Sequence, residues 1–333
     1  MYNNNILILG HKEVEEILSG KENEIIEIVK NTYCAHENKK SSLPHSIFLR
    51  FPDDNKNRII GLPAYIELHK KMAGLKWISS FPDNINNGLE RASAVLILNN
   101  MENGRSEAIL ESSVISAKRT AASATLAAVH LHMNKREKSI GIVGGGRINF
   151  EILSFMFTQF KEVEKIYLYD KSKERAKQFV EKFTTAKKEF ILANSLDEIL
   201  SQTKLISFAT TAGVPYIDQI NNCTNDTTIL NISLRDFSPN VIKNAYNIVD
   251  DLDHVCREMT SIHLTQQEMK NTDFVAGSIA EVVQGKIKPR DEGQPVIFSP
   301  FGLGILDLSL GNYVKDESEK KGLGININNF LPL

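Results

Sequence analysis

The chain has 333 residues, enough for two domains of ordinary size, and its 42% hydrophobic and 24% charged residues suit buried cores rather than disorder. A formal net charge of −2 gives no electrostatic reason to expect nucleic acid or an anionic membrane as a partner, though a local basic pocket for a small acid is compatible with it. Cys34, Cys223 and Cys256 are scattered and odd in number, which argues against a disulfide framework and suits a reducing cytoplasm.

The run Ile6-Leu7-Ile8-Leu9 is too short for the apolar region of a signal peptide. Val14 to Tyr33 carries apolar residues at helical spacing. Ile47–Arg50, Arg58–Leu62 and Gly74–Ser79 read as short strands. Ala94–Asn99 is a further strand that stops at Asn-Asn and Glu-Asn-Gly, a hairpin-like turn, with Ala108–Leu110 returning. Ser113 to Met133 reads as one helix dense in Ala and Leu. Its uncharged part, Thr120 to Asn134, is too short to span a bilayer.

From Lys138 onward strands alternate with helices, which signals a parallel sheet. Strands are expected at Ser139–Val143, Lys165–Tyr169, Phe190–Leu192, Leu205–Ala209, Ile229–Ile232 and Ile248–Val249, with helices at Ile148–Phe160 and Ser172–Phe183. After Asp251 the pattern is helical to about Gln284. A Pro- and Gly-bearing loop follows at Lys288–Pro295, then a strand at Val296–Phe298 and a helix at Gly304–Val314.

The segment Ile140-Gly141-Ile142-Val143-Gly144-Gly145-Gly146-Arg147 has the form of a dinucleotide-binding turn. Gly144 permits the strand-to-helix turn. Gly146 lets backbone approach a pyrophosphate at a helix N-terminus, where free N–H groups favour anions. Asn149 stands where a third small residue is usual, a departure expected to loosen the packing of helix on strand. The strand that follows ends at Asp170, which can accept from both adenosine-ribose hydroxyls and repel a 2′-phosphate, favouring NAD; alternatively it caps the next helix.

Four basic residues upstream stand out: Arg50 at a strand end, Lys76 beside Trp77, Arg91 in Glu90-Arg91-Ala92-Ser93, and Arg119 in an otherwise small, apolar helix. A charge in the setting of Arg119 is costly unless paired. Converging guanidinium groups suit a carboxylate-rich substrate, whereas any one of them alone suits a surface ion pair. Lys76 is either a solvated lysine or a buried one with its pKa lowered for acid–base work. Asp236 follows the strand Ile229–Ile232, where residues line the ligand crevice of a parallel sheet; its other reading is a cap for a helix at Ser238–Lys243. His130 and His132 cannot share one helix face, and no metal-ligand spacing occurs, so no metal is expected.

As a set, Gly74-Leu75-Lys76-Trp77, Arg119-Thr120-Ala121-Ala122, Gly144–Gly146, Asn231 to Asp236, and Pro300-Phe301-Gly302-Leu303-Gly304 with Asp307 carry a resemblance. From about residue 10 to 315 the chain resembles the ornithine cyclodeaminase/μ-crystallin superfamily. Leu89-Glu90-Arg91-Ala92-Ser93, Asn231-Ile232-Ser233 and Val249-Asp250-Asp251 are most similar to its dehydrogenases that act on N-(2-amino-2-carboxyethyl)-L-glutamate and release L-2,3-diaminopropionate for siderophore and antibiotic synthesis.

The resemblance implies an α/β fold: a Rossmann doubly wound parallel sheet for NAD at residues 118–311, plus an α+β substrate-binding and dimerisation domain at 1–117 with 312–333. It implies a homodimer, an amino-dicarboxylate held by Arg50, Lys76, Arg91 and Arg119, and proton transfer by Lys76 and Asp236. It places Thr120, Gly144, Gly146, Arg147, Ile148, Asp170, Thr210, Thr211, Ser233, Asp236, Pro300 and Gly302 around the cofactor. Ornithine cyclodeaminases continue past the aspartate with a Cys-Pro-Gly-Lys-like stretch and carry Gly-Gly before it. Here Leu234-Arg235 precede Asp236 and Phe237-Ser238-Pro239 follow. Ornithine cyclisation and silent cofactor binding of the μ-crystallin kind are the alternatives.

Overall fold

The computed structural model describes residues 4–287 and 294–332; of the loop expected at 288–295, residues 288–293 lie outside them. In chain order the strands are β1 (Ile6–Leu9), β2 (Ser41–Ser42), β3 (Ile47–Phe51), β4 (Asp54–Glu67), β5 (Lys71–Ser80), β6 (Ala92–Asn99), β7 (Ser106–Glu111), β8 (Ser139–Val143), β9 (Lys165–Tyr169), β10 (Glu189–Leu192), β11 (Leu205–Phe208), β12 (Thr228–Asn231), β13 (Tyr246–Val249), β14 (Val275–Ser278), β15 (Val296–Ser299) and β16 (Ile325–Ile327). The chain divides into two compact units, residues 1–119 with 303–333, and residues 120–302. The first division falls inside the helix Ser113–Leu131, while the helix Gly304–Lys321 belongs whole to the first unit.

In the first unit the sheet runs β16-β1-β7-β6-β5-β4-β2, with β3 paired to β4. Its long central strands alternate. Ala64, Ile66, Met72, Leu96, Leu98, Ala108 and Leu110 are buried on one face, as the two-residue period of a half-covered sheet requires. The helix Gly304–Lys321 packs on this face with Leu306, Leu308 and Leu310 buried, and Gly311 is what lets it come close. A Cβ at Gly311 would lie 2.1 Å from Leu96 Cδ2, inside any real contact. The opposite face is less covered: Ile47, Gly61, Trp77 and Val95 stand in one register across four strands, with Ile47, Trp77 and Val95 exposed.

The second unit is an all-parallel sheet in the order β10-β9-β8-β11-β12-β15-β13-β14. From β8 the chain steps outward through β9 and β10, then returns to β8's other side at β11. That reversal is the topological switch point at which doubly wound sheets bind ligands. Strands β8, β11, β12 and β15 are almost wholly buried, which explains their unbroken aliphatic runs.

Several expected elements differ in extent. The helical stretch near residues 14–33 is two helices, His11–Leu18 and Glu22–Glu37, because Gly20 takes φ +70 and breaks it. The segment read as helical from Asp251 to Gln284 contains the edge strand β14, which follows the helix Ser261–Met269 and its left-handed cap at Lys270. The last long helix runs seven residues past Val314, to Lys321. Ile6–Leu9 and Ile325–Ile327 pair antiparallel at the sheet edge, a long-range pairing that a short apolar run does not announce.

Candidate active site

In the first unit, Lys76 sits on the buried face of β5 at 2% exposure. Its Nζ donates to Asp307 Oδ2 at 2.6 Å, and Arg119 Nε donates to the other oxygen, Oδ1, at 3.2 Å. Asp307 is fully buried on the sheet-facing stripe of its helix, four residues before Gly311. Ser116 Oγ accepts from both cations, at 3.3 Å each. Burial pushes Lys76 down to about 8 and Arg119 adds to the fall, with Asp307 opposing both. Burial alone would raise Asp307, but Arg119 and then Lys76 hold it below the ordinary carboxylate range. The costly charge at Arg119 is therefore paired, and Lys76 is a buried lysine rather than a solvated one.

The other two arginines stand elsewhere in the same unit. Arg50 is exposed on β3, with its guanidinium 5.4 Å from the centroid of the Phe48 ring. Arg91 precedes β6; its Nε is buried and has no hydrogen-bond partner, and both burial and the charge of Arg58 lower its pKa.

In the second unit, the glycine turn caps β8 at the switch point. Gly144 adopts φ +98, and a Cβ there would meet Ala209 O at 2.5 Å, so no other residue fits. Gly146 is exposed, and a Cβ built on it meets nothing within 4 Å. It is the N-cap of the helix Arg147–Gln159, whose first N–H groups no side chain caps. Open space before an uncapped helix start fits a phosphate-bearing cofactor.

Asp170 accepts from Gly145 N at 2.8 Å and from Ser172 N at 2.7 Å; Ser172, not Asp170, supplies the side-chain cap of the next helix. Asn149 corrects the expectation of loosened packing. Its buried amide donates to Val143 O at 2.9 Å and Gly144 O at 2.7 Å and accepts from Ser207 Oγ at 2.7 Å, tying the turn to β8 and β11.

Asp236 is fully buried and does not cap the short helix Pro239–Ile242; its N-cap is Ser238, whose hydroxyl donates to Asp218 Oδ1 at 2.6 Å and makes no capping bond. It accepts from Thr210 Oγ1 at 2.6 Å and from the Ser233 hydroxyl. Tyr216 joins them: burial and then the Asp236 carboxylate push its phenol well above the ordinary range, so it stays protonated and donates. Between Ser233 and Asp236, Leu234 takes φ +68, an uncommon conformation for a leucine that turns the chain sharply after β12. Pro300 is buried, and Gly302, with φ +93, donates its N–H to Asp250, as does Phe301.

Of the remaining expected residues, Arg147 pairs with Glu151 at 2.9 Å, Ile148 and Thr120 are half-buried, and Thr211 is exposed. Asp307's pairing, Tyr216 and Arg58 were not anticipated as site residues. Asp307 stood in the sequence beside a recognisable motif, but its partners are 231 and 188 positions away. Among the described residues no helix is long and apolar enough to cross a membrane.

The family model for the ornithine cyclodeaminase/mu-crystallin family matches residues 6–322. Among curated proteins the chain is 29% identical over 335 residues to N-((2S)-2-amino-2-carboxyethyl)-L-glutamate dehydrogenase of Staphylococcus aureus, covering 98% of this chain and 99% of that one. Among solved structures it is similar to Thermococcus litoralis Δ1-pyrroline-2-carboxylate reductase in complex with NADH and L-proline. The TM-score there is 0.89 at 24% identity, over 97% of this chain and 100% of that one. An archaeal alanine dehydrogenase dimer with bound NAD gives 0.86 at 24% identity, over 97% and 99%. These structural likenesses establish the fold, a Rossmann-type sheet with a second α+β domain.

Proposed function

The chain belongs to the ornithine cyclodeaminase/mu-crystallin family, and from that premise we propose that it is an NAD-dependent dehydrogenase acting on a secondary-amine C–N bond. The substrate we assign is N-(2-amino-2-carboxyethyl)-L-glutamate, hydrolysed oxidatively to 2-oxoglutarate and L-2,3-diaminopropionate, a precursor for siderophore or antibiotic synthesis. The observation that carries the reading is Lys76: a buried amine with a pKa near 8, held beside Arg119 by one carboxylate. Such a group is partly neutral near the pH of a cell and can exchange a proton there, and it sits beside Arg119, a cation that an acidic substrate needs. The whole-length likeness to the Staphylococcus aureus dehydrogenase supports the same substrate class.

The cofactor belongs to the second unit. The open N-terminus at Gly146 takes the pyrophosphate, with Arg147 and Ile148 beside it, and Asp170 takes the adenosine ribose and disfavours a 2′-phosphate. Thr120, Thr210, Thr211, Ser233, Pro300 and Gly302 complete its surroundings. When bound, NAD supplies the acceptor for the hydride from the glutamyl Cα.

Arg50, Arg91 and Arg119 bind the three carboxylates and fix the reacting carbon, an effect worth on the order of 7–11 kcal/mol at best. Lys76 in its neutral form takes the proton from the substrate's ammonium, without which the nitrogen lone pair cannot assist oxidation. Asp236 takes a proton from the water that cleaves the oxidised C–N bond. Because its carboxyl group is buried, that proton passes through the hydroxyls of Thr210 and Ser233.

A homodimer follows from the same premise; the uncovered register of Ile47, Trp77 and Val95 is an apolar surface a second copy can bury. The free cysteines suit the cytoplasm. Turnover tests the reading: net NADH accumulates with the amino-dicarboxylate and none with ornithine. Proline formed from ornithine with no net NADH overturns it.

A further inference from the structure

Asp236 takes a proton from water in every turnover, and it is fully buried, so that proton needs a way out. Of the hydroxyls that bond its carboxylate, those of Thr210 and Ser233 belong to half-buried residues. The phenol of Tyr216 bonds the same carboxylate, and Tyr216 is 41% exposed. Thr210 follows β11 and Ser233 follows β12, so these hydroxyls meet at the carboxyl edge of the parallel sheet.

Tyr216 is not a loose surface tyrosine. Its own N–H and that of Ile217 donate to the Asp236 carbonyl, at 3.1 and 3.0 Å, and the Ile217 carbonyl accepts from Ser238 N at 2.9 Å. Ile217 thereby bridges to Phe237 in parallel, and both side chains are buried in the core of the unit. Successive residues of an extended segment point to opposite sides, so burying Ile217 turns Tyr216 outward. Lys171, just past Asp170 at the end of β9, sets its Nζ 5.0 Å from the centroid of the Tyr216 ring, a cation–π contact. Backbone and ring are both held, so the hydroxyl keeps its place at the carboxylate.

Proton balance fixes which proton leaves. Oxidative cleavage takes a secondary ammonium, NAD and water to 2-oxoglutarate, a primary ammonium, NADH and one proton. Lys76 removes a proton from the nitrogen and returns it to the departing amine. Collapse of the hydrated intermediate breaks the C–N bond, forms the C=O bond and moves the hydroxyl proton to the same nitrogen. What remains is the water proton on Asp236. We propose that Tyr216 is a positioning residue that passes this net proton from Asp236 to solvent, a role that rests on the dehydrogenase reading for its reaction. The Asp236 O–H bond breaks as a new one forms on the phenol oxygen, while the phenol's original proton leaves to a water molecule. Burial and then the Asp236 carboxylate keep the resting phenol protonated, so it ends each cycle as it began.

Tyr216→Phe keeps the ring, the Lys171 contact and the backbone pairing, and removes only the hydroxyl. Hydride transfer precedes the water step, so NADH of the first turnover, followed by stopped-flow absorbance, is expected to form within about twofold of the parental rate. Steady-state kcat with N-(2-amino-2-carboxyethyl)-L-glutamate is expected to fall about tenfold, less than the roughly hundredfold loss on removing Asp236 itself. The effect of D2O on kcat rises in the variant, because proton release has become slow, and the effect of deuterium on the glutamyl Cα falls towards one. KM for NAD stays unchanged. A hydroxyl that merely supported the fold would slow both phases alike and leave the solvent effect as it was.

A normal first turnover with a slow, solvent-sensitive steady state upholds the relay. An unchanged kcat in Tyr216→Phe, or a first turnover slowed as much as the steady state, overturns the relay and leaves the dehydrogenase reading intact. A wild-type enzyme that forms no NADH from the substrate overturns that reading and the relay with it, because the water step belongs to that reaction.

Discussion

Lys76 Nζ lies 2.6 Å from Asp307 Oδ2, joining a strand of the first sheet to a helix 231 residues later. Burial holds Lys76 near 8, and Asp307 is what keeps it from falling further. The folded pKa lies below the unfolded value of 10.5, so the charged lysine costs stability below about 8. That cost is relieved as pH rises from about 8 towards 10.5. If neutral Lys76 is the base, kcat/KM rises with pH and levels off above about 8. In Asp307→Asn the rise moves to lower pH, and the fold loses on the order of 3–5 kcal/mol because two buried cations lose their counterion. A pH–rate profile paired with a denaturant melt measures both; an unmoved profile removes Asp307 from control of Lys76.

Asp236→Asn keeps the shape of the side chain and its hydroxyl neighbours but loses the proton acceptor. NAD affinity should stay nearly unchanged while kcat falls at least about a hundredfold. Stopped assays together with a cofactor titration separate the two, and full activity removes Asp236 from the mechanism.

Asp170 bonds both Gly145 and Ser172, so it shapes the turn in addition to the ribose-binding role proposed for it. Asp170→Ala is expected to raise KM for NAD and to narrow the preference for NAD over NADP. Unchanged values for both cofactors would reduce Asp170 to a turn residue.

Asn149→Ala removes two donated bonds and one accepted bond from a fully buried position. The carbonyls of Val143 and Gly144 and the Ser207 hydroxyl lose that partner, at a cost of roughly 2–3 kcal/mol. A shift of the urea midpoint at constant slope reads this out; a variant as stable as the parent means that water replaces the amide.

The second unit was the more legible in sequence. Ser139–Val143 and Lys165–Tyr169 have the bounds their aliphatic runs indicate, because buried parallel strands leave an unbroken apolar pattern between turn residues. The first unit was read in pieces, since β4 and β5 extend well past their apolar centres into polar ends such as Asp54 and Lys71. Lys76 and Arg119 drew attention because a charge among small apolar residues is conspicuous. Asp307 lacked a partner in sequence because tertiary packing, not local pattern, supplies both cations. Tyr216 sits in an irregular stretch after Val214-Pro215, with no periodicity to mark it. Asn149 looked like a defect because a glycine motif reads backbone shape and not the side-chain bonds that can substitute for it.

The measurement closest to the central claim follows one hydrogen. Substrate carrying deuterium on the glutamyl Cα is incubated with the enzyme and NAD, and the reduced cofactor and both products are analysed by mass spectrometry. The account predicts that the label appears in the reduced cofactor and that 2-oxoglutarate and diaminopropionate are unlabelled. Unlabelled NADH with deuterium retained in either product would contradict it.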